Sequence, residues 1–327
     1  MAIPMSHHLW RVSFACGTFL VAQLYAQGSS AWRDTSTHRI RFVSVEKNVQ
    51  LEVLDWGGHG RPIVFLAGGG STAHVFDDFA PKLTTSGHLY GITRRGFGAS
   101  SYSATDNPAD RLGDDVVAVL DALKLVKPIL AGHSIGGAEM SSVASRYSRR
   151  IAALVYLDSA YSYAFDNGKG SDAREAQALR GPQPPPPSRV DVASFSAFGK
   201  YDERVTGVRV PEAELRQQWE SDGNGRVIKP RDAPGGAMLG ALFMAPKKYT
   251  TIPVPALVIF ANPHSEGALV NPNSAALTAL VTKQEQAIKN AVPTARVVEL
   301  PNANHFVFLS NEADVLREMR RFVADLN

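Results

Sequence analysis

Gly132-His133-Ser134-Ile135-Gly136-Gly137 is the stretch whose reading decides the fold. The apolar run 128–131 leads into it and a helical pattern over 138–147 leads out, so the serine sits on a sharp turn from strand to helix. Such a turn needs neighbours without side chains, which the glycines supply. The helix that follows turns its first N–H groups and positive dipole end toward the turn, where developing negative charge is stabilised. A Gly-x-Ser-x-Gly segment in this context predicts a nucleophilic serine, Ser134.

Working outward, short apolar runs alternate with amphipathic stretches, the pattern of a largely parallel sheet with connecting helices. Residues 38–45 and 49–56 read as an antiparallel pair joined by the polar turn Glu46-Lys47-Asn48. The runs 62–66, 89–93, 128–131 and 152–158 read as buried strands. Leu112, Val116, Val119, Leu120 and Leu123 fall at helical spacing within 110–125. The rhythm breaks over 159–253. Pro182-Gln183-Pro184-Pro185-Pro186-Pro187 predicts a stiff loop, 211–221 a short helix with Leu215 and Trp219 one turn apart, and the stretch around 232–236 is rich in Gly and Pro. Alternation resumes with a strand at 256–261, a helix over 275–291, a strand at 296–300 and a last helix from Asn311.

A serine hydroxyl needs a base at neutral pH. His305, in the loop Pro301-Asn302-Ala303-Asn304-His305-Phe306 after the last strand, is the histidine suited to reach over the strand ends. His74 and His88 come too early in the chain, His133 belongs to the turn, and His7 and His8 lie in a leader. Leu66-Ala67-Gly68-Gly69-Gly70-Ser71 offers backbone N–H groups for the charge that a tetrahedral intermediate develops; Gly69 and Ile135 are the expected donors. No His-Glu-x-x-His or cysteine pair suggests a metal, and no cofactor motif is present.

The order Gly-rich loop, Gly-His-Ser-Ile-Gly, late histidine resembles the α/β-hydrolase superfamily over nearly all of residues 38–327. Thr93-Arg94-Arg95-Gly96-Phe97-Gly98-Ala99-Ser100 is similar to the Asp-x-Arg-Gly-x-Gly-x-Ser loop of its lipase- and esterase-like members, with Thr93 in place of the usual Asp. The resemblance implies an α/β-hydrolase fold: a mostly parallel eight-stranded sheet flanked by helices, with a cap inserted after strand six. The implied division is signal peptide 1–28, core 29–158, cap 159–253 and core 254–327. In such a cap Phe195, Phe198, Leu215, Trp219, Met238, Tyr161 and Tyr163 either line a pocket or form a small core of their own.

The triad acid departs from the common pattern. The family usually places it just after the seventh strand, where this chain reads Asn262-Pro263-His264-Ser265-Glu266, with His264 standing where Asp is expected. Two candidates stay open. Asp158 ends strand six, the position used by some capped members such as haloalkane dehalogenases and certain fungal-toxin lactone hydrolases; Glu266 serves if its loop bulges.

The 327 residues are 44% hydrophobic and 20% charged, an ordinary globular composition that excludes disorder and collagen-like repeats. Thirty-four Lys and Arg against 31 Asp and Glu leave +3 without a basic stripe, so nucleic acid is not an expected partner. Arg11, the apolar stretch 12–26 and Ala26-Gln27-Gly28 read as a signal peptide, too short to span a membrane. Its removal takes away Cys16, the one cysteine, so the mature chain holds together by packing alone. The expectation is a secreted or periplasmic serine hydrolase acting on a small-molecule ester or lactone, free of the membrane after signal cleavage. A carbon–carbon bond hydrolase or perhydrolase uses the same machinery, and a slow or non-catalytic small-molecule receptor is the alternative from another class.

Overall fold

The central strands bury successive residues into opposite layers. In the run Ile63-Val64-Phe65-Leu66, Val64 and Leu66 join one apolar cluster while Ile63 and Phe65 join another. Leu130, Leu154, Tyr156, Val258 and Phe260 side with the first; Ile129, Val155, Leu157, Leu257 and Ile259 side with the second. Period-two alternation with both faces apolar is what a sheet covered on both sides requires, and it explains why these runs show no polar face in sequence.

The computed structural model describes residues 32–105, 108–171, 173–244, 247–264, 267 and 271–326. The expected leader 1–28, with Cys16, and the candidate acid Glu266 lie outside the described residues. In chain order the elements are β1 (Arg39–Glu46), β2 (Val49–Gly58), β3 (Pro62–Leu66), β4 (His88–Ile92), α1 (Pro108–Ala122), β5 (Ile129–His133), α2 (Gly136–Tyr147) and β6 (Ala153–Leu157). Then follow α3 (Ala173–Ala178), α4 (Phe195–Thr206), α5 (Glu212–Gln218), β7 (Trp219–Ser221), β8 (Val227–Pro230) and α6 (Gly236–Met244). The chain closes with β9 (Ala256–Asn262), α7 (Ser274–Ala291), β10 (Ala295–Pro301), α8 (Val307–Ser310) and α9 (Glu312–Asp325).

Eight strands form one sheet in the order β1-β2-β4-β3-β5-β6-β9-β10, antiparallel across β1, β2 and β4 and parallel from there on. Parallel pairing brings the C-terminal ends of β3, β5, β6, β9 and β10 to one edge, where open α/β sheets bind ligands. The antiparallel β1–β2 pair, the buried strands and the start of the last helix match the sequence pattern to within two residues.

The segment after β6 differs more. Helix α4 was not legible as a separate element, yet it is well delimited: Ser194 Oγ accepts the Ala197 N–H (3.1 Å), and Gly207, at φ +80°, closes the other end. The helix expected over 211–221 stops at Gln218, and Trp219 starts the β7–β8 hairpin instead. The Gly- and Pro-rich stretch around 232–236 leads directly into α6. Phe195, Phe198, Leu215 and Val227 form a third apolar cluster, with Trp219 packed against it.

A buried polar knot fastens the first strands beneath this edge. Asp77 accepts Nδ1 of His38 (2.7 Å), Nδ1 of His74 (2.9 Å) and the indole N–H of Trp56 (2.9 Å). Burial of His74 opposes its charge, but the carboxylates of Asp77 and Glu52 outweigh burial and raise its pKa to about 10. A histidine whose pKa rises on folding lends stability fully present below its unfolded value near 6.5, which is lost as pH climbs through 10. Thermal unfolding is therefore expected to drop between pH 6.5 and 10 by an amount on the order of a few kcal/mol. In His74→Gln the drop should shrink; an equal drop in both proteins would remove His74 as its source.

Candidate active site

Sterics force the turn after β5. Ser134 has φ +51°, a left-handed backbone that costs a residue with a side chain on the order of 1–3 kcal/mol. A Cβ on Gly136 would lie 2.7 Å from the Leu66 carbonyl oxygen, and one on Gly137 would lie 2.2 Å from that of Ser159. No larger residue fits either place without moving backbone. The strained turn holds Ser134 half-buried on the wall of a cavity of about 420 Å³, shared with Tyr161, Tyr163, Phe243 and His264.

His305 follows β10 and is buried. Its carbonyl accepts Nε2 of His133, the residue before the serine (3.1 Å), and the two rings lie 4.5 Å apart. The His305 ring is thus packed against the serine turn. Burial, with the nearby His305, pushes His133 well below its usual pKa, so it stays neutral. Nδ1 of His305 lies 2.7 Å from Oδ2 of Asp158.

Asp158 follows β6, itself at φ +48° and fully buried. Its Oδ2 also meets Nδ1 of His264 at 2.7 Å, while Oδ1 accepts the Tyr161 hydroxyl (2.7 Å) and the Ala261 N–H (3.0 Å). Burial works against its charge, yet the imidazoles of His264 and His305 hold the carboxyl well below the usual range. Burial and Asp158 together push Tyr161 well above the usual phenol pKa, keeping it a donor. An ionised Asp158 has no proton to give, so Nδ1 of His305 donates; in the neutral ring that leaves the lone pair on Nε2, the arrangement a base for serine requires.

The Gly-rich loop lies alongside. Ser71 N–H returns to the Gly68 carbonyl (3.4 Å) with Gly70 at φ +79°, a turn that needs glycine at its third position. A methyl on Gly69 would lie 3.9 Å from the Ile135 side chain, so the two expected oxyanion donors sit on neighbouring turns. Arg94 grips the loop from beneath, donating to the carbonyls of Ala67 (2.6 Å) and Gly68 (3.1 Å) and pairing with Glu139 in the first turn of α2. Thr93, in the place of the usual Asp, accepts the Ala73 N–H (3.1 Å) and donates to Glu52 (2.8 Å).

From above, α5 contributes Glu214, which is fully buried and accepts the Thr72 N–H (2.9 Å), the Thr72 hydroxyl and the Gln218 amide (2.7 Å). Burial pushes Glu214 up to about 7 in spite of these bonds.

Ser134, His305 and Asp158 therefore come from the ends of β5, β10 and β6 to one edge of the sheet. Among the described residues, His, Asp and Glu ligand atoms gather at Asp158, His264 and His305 and again at Asp34, His38, His74 and Asp77. The spacings of 2.7–2.9 Å around Asp158 and Asp77 are those of N–H donors on one carboxylate. Zinc ligands at about 2.0–2.1 Å in a tetrahedron stand farther apart.

Of the apolar residues expected in the insertion, Phe195, Phe198 and Leu215 serve its own cluster, whereas Tyr161, Tyr163 and Met238 join the main core. Nothing local in the sequence marks Arg94 as a clamp, Tyr161 as a partner of Asp158 or Glu214 as a site residue. Only His264 carried a signal, its position where an acid was expected.

The sequence model described as "Alpha/beta hydrolase family" matches residues 63–318. The AB hydrolase superfamily protein YisY of Bacillus subtilis (strain 168) is 38% identical over 110 residues, 33% of this chain and 39% of that protein, so the match spans well under half of that relative. A crystal structure of E-2-(acetamidomethylene)succinate hydrolase superposes with a TM-score of 0.64 at 19% identity, over 88% of this chain and 99% of that one. Carboxylesterase CesB (YbfK) from Bacillus subtilis superposes with a TM-score of 0.58 at 16% identity, over 88% and 92%. At these identities the superpositions show the fold.

Proposed function

The chain belongs to the alpha/beta hydrolase family and has its fold, and from that premise we propose that it is a serine hydrolase cleaving a carboxylic ester or lactone through an acyl-enzyme on Ser134. The observation that carries this reading is the 2.7 Å bond from Asp158 to His305, on a histidine packed against the serine turn. Ser134 Oγ attacks the substrate carbonyl while Nε2 of His305 takes its proton. Asp158 stabilises the imidazolium so formed, and the N–H groups of Gly69 and Ile135 receive the charge on the carbonyl oxygen. His305 then passes its proton to the departing alkoxide, and water, activated the same way, releases the acid. A lactone undergoes the same steps, with its alcohol staying attached to the acyl chain.

The cavity of about 420 Å³ beside Ser134 favours a small to medium substrate, with an apolar part against Tyr163, Phe243 and Leu277 and a polar group toward Arg180, Gln183 and Asn271. In this reading residues 159–253 act as a cap that excludes water, and the leader 1–28 exports the enzyme to the periplasm or medium.

The test is hydrolysis of p-nitrophenyl acetate and butyrate together with covalent labelling by a fluorophosphonate. Turnover with one label on Ser134 is the expected result. Tight ester binding with neither turnover nor label would replace the enzyme by a small-molecule receptor on the same fold.

A further inference from the structure

The loop that carries the Gly69 amide is held by two different parts of the chain. Arg94 fixes its start through the Ala67 and Gly68 carbonyls, and Thr93 fixes its end through the Ala73 N–H. Its middle is held from α5, in the segment between β6 and β9. Gln218 donates to the Gly70 carbonyl (3.2 Å), and Glu214 takes both the N–H and the hydroxyl of Thr72. Gln217, between them in the chain, reaches His74 (3.4 Å), two residues beyond Thr72.

Glu214 is an odd group to find there if packing were all that mattered. It is a carboxyl group with no exposed surface, and among the described residues no arginine or lysine pairs with it within 4.0 Å; its hydrogen-bond partners are neutral, and the charge on His74 favours its ionised form without a bond to it. An apolar side chain of similar size would avoid that desolvation. What it would lose is direction: two adjacent polar atoms on one side chain can hold a backbone N–H and the hydroxyl of the same residue at once, and an apolar side chain holds neither. That pair of bonds sets the orientation of the Thr72 peptide, three residues after Gly69 in a turn already closed between Gly68 and Ser71.

We propose that Glu214 is a positioning residue for the oxyanion turn: through Thr72 it aims the Gly69 amide, so that docking of the segment between β6 and β9 governs transition-state stabilisation. The inference rests on the serine-hydrolase reading above. Glu214 does not touch substrate. It acts on the one step in which charge appears on the carbonyl oxygen, where a donor misplaced by about 1 Å costs on the order of 10²-fold.

The experiment compares Glu214→Ala and Glu214→Gln on p-nitrophenyl butyrate, with thermal unfolding and the affinity of an aryl boronic acid that mimics the tetrahedral intermediate. Glu214→Ala should lower kcat about 10- to 100-fold with KM changed less than about threefold, and boronate affinity should fall with kcat/KM. Glu214→Gln keeps an oxygen for the Thr72 N–H and an N–H for the Thr72 hydroxyl, so it should recover kcat to within about fivefold. If Glu214→Ala does not fold, Thr72→Val, which deletes the hydroxyl and keeps the N–H, should show the same pattern in weaker form. A folded Glu214→Ala with wild-type kcat overturns the proposal, as does a loss confined to KM or a Gln variant as impaired as the Ala one. Wild-type protein that neither hydrolyses esters nor takes the fluorophosphonate label fails the serine-hydrolase reading itself, and the inference falls with it.

Discussion

Ser134→Ala is expected to lower kcat by roughly 10⁴-fold or more while leaving the protein folded and the cavity able to bind ester. A hydrogen replaces only the hydroxyl, and Ala is no more crowded than Ser at φ +51°, so the turn, the loop around Gly69 and the Asp158–His305 pair stay in place. What is left is water attacking a carbonyl held in an oxyanion hole, a residual activity that in serine hydrolases lies several orders of magnitude below the complete triad. Steady-state rates on p-nitrophenyl butyrate, after active-site titration to exclude wild-type carry-over, measure the effect. Activity within tenfold of wild type would remove Ser134 as the nucleophile.

Asp158→Asn should cost on the order of 10² to 10⁴ in kcat, and the hydrogen bonds around the carboxylate say why. Oδ1 accepts two donors, the Tyr161 hydroxyl and the Ala261 N–H, so the amide oxygen of an asparagine takes that position. The amide NH₂ then faces Nδ1 of both His264 and His305, where the carboxylate had offered an acceptor. Each imidazole must move its proton to Nε2, and an Nε2–H on His305 cannot accept the serine proton. Circular dichroism and thermal unfolding must show the variant folded, because Asp158 also ties β6 to β9 through Ala261. The companion variant Glu266→Gln should stay within about tenfold of wild type. If Glu266→Gln is the crippled protein and Asp158→Asn is folded and active, the acid lies after β9 and the assignment to Asp158 is wrong.

Legibility in the sequence followed how local the physical cause was. The serine turn was readable because its demands are met by adjacent residues: an apolar strand, glycines where a Cβ would meet backbone, and a helix start. The strands from β3 to β6 were readable because burial on both faces leaves short, nearly unbroken apolar runs. Over 159–253 that logic weakens. Helix α4 is as amphipathic as α1, but it buries only Phe195 and Phe198, in a small cluster supplied partly by the β7–β8 hairpin, and among the described residues no strand flanks it to mark it as part of the alternating pattern. Trp219 fits a helical spacing with Leu215, yet it leaves the helix because its strand pairs with Pro230 across the hairpin.

By itself the sequence determined the hydrolase family and its fold, since a serine turn, a Gly-rich loop and a late loop histidine are each written in consecutive residues, as is the alternation that builds the sheet beneath them. Only the tertiary structure decided the partners. Asp158 meets His305 across 147 residues and His264 across 106, and Glu214 meets Thr72 across 142. Those meetings depend on strand order, on which ends of β6, β9 and β10 lie side by side, and on where α5 docks. A carboxylate's role is set by the donors packed around it; Tyr161 and Gln218 stand three and four residues from Asp158 and Glu214, and the other donors are far away in the sequence.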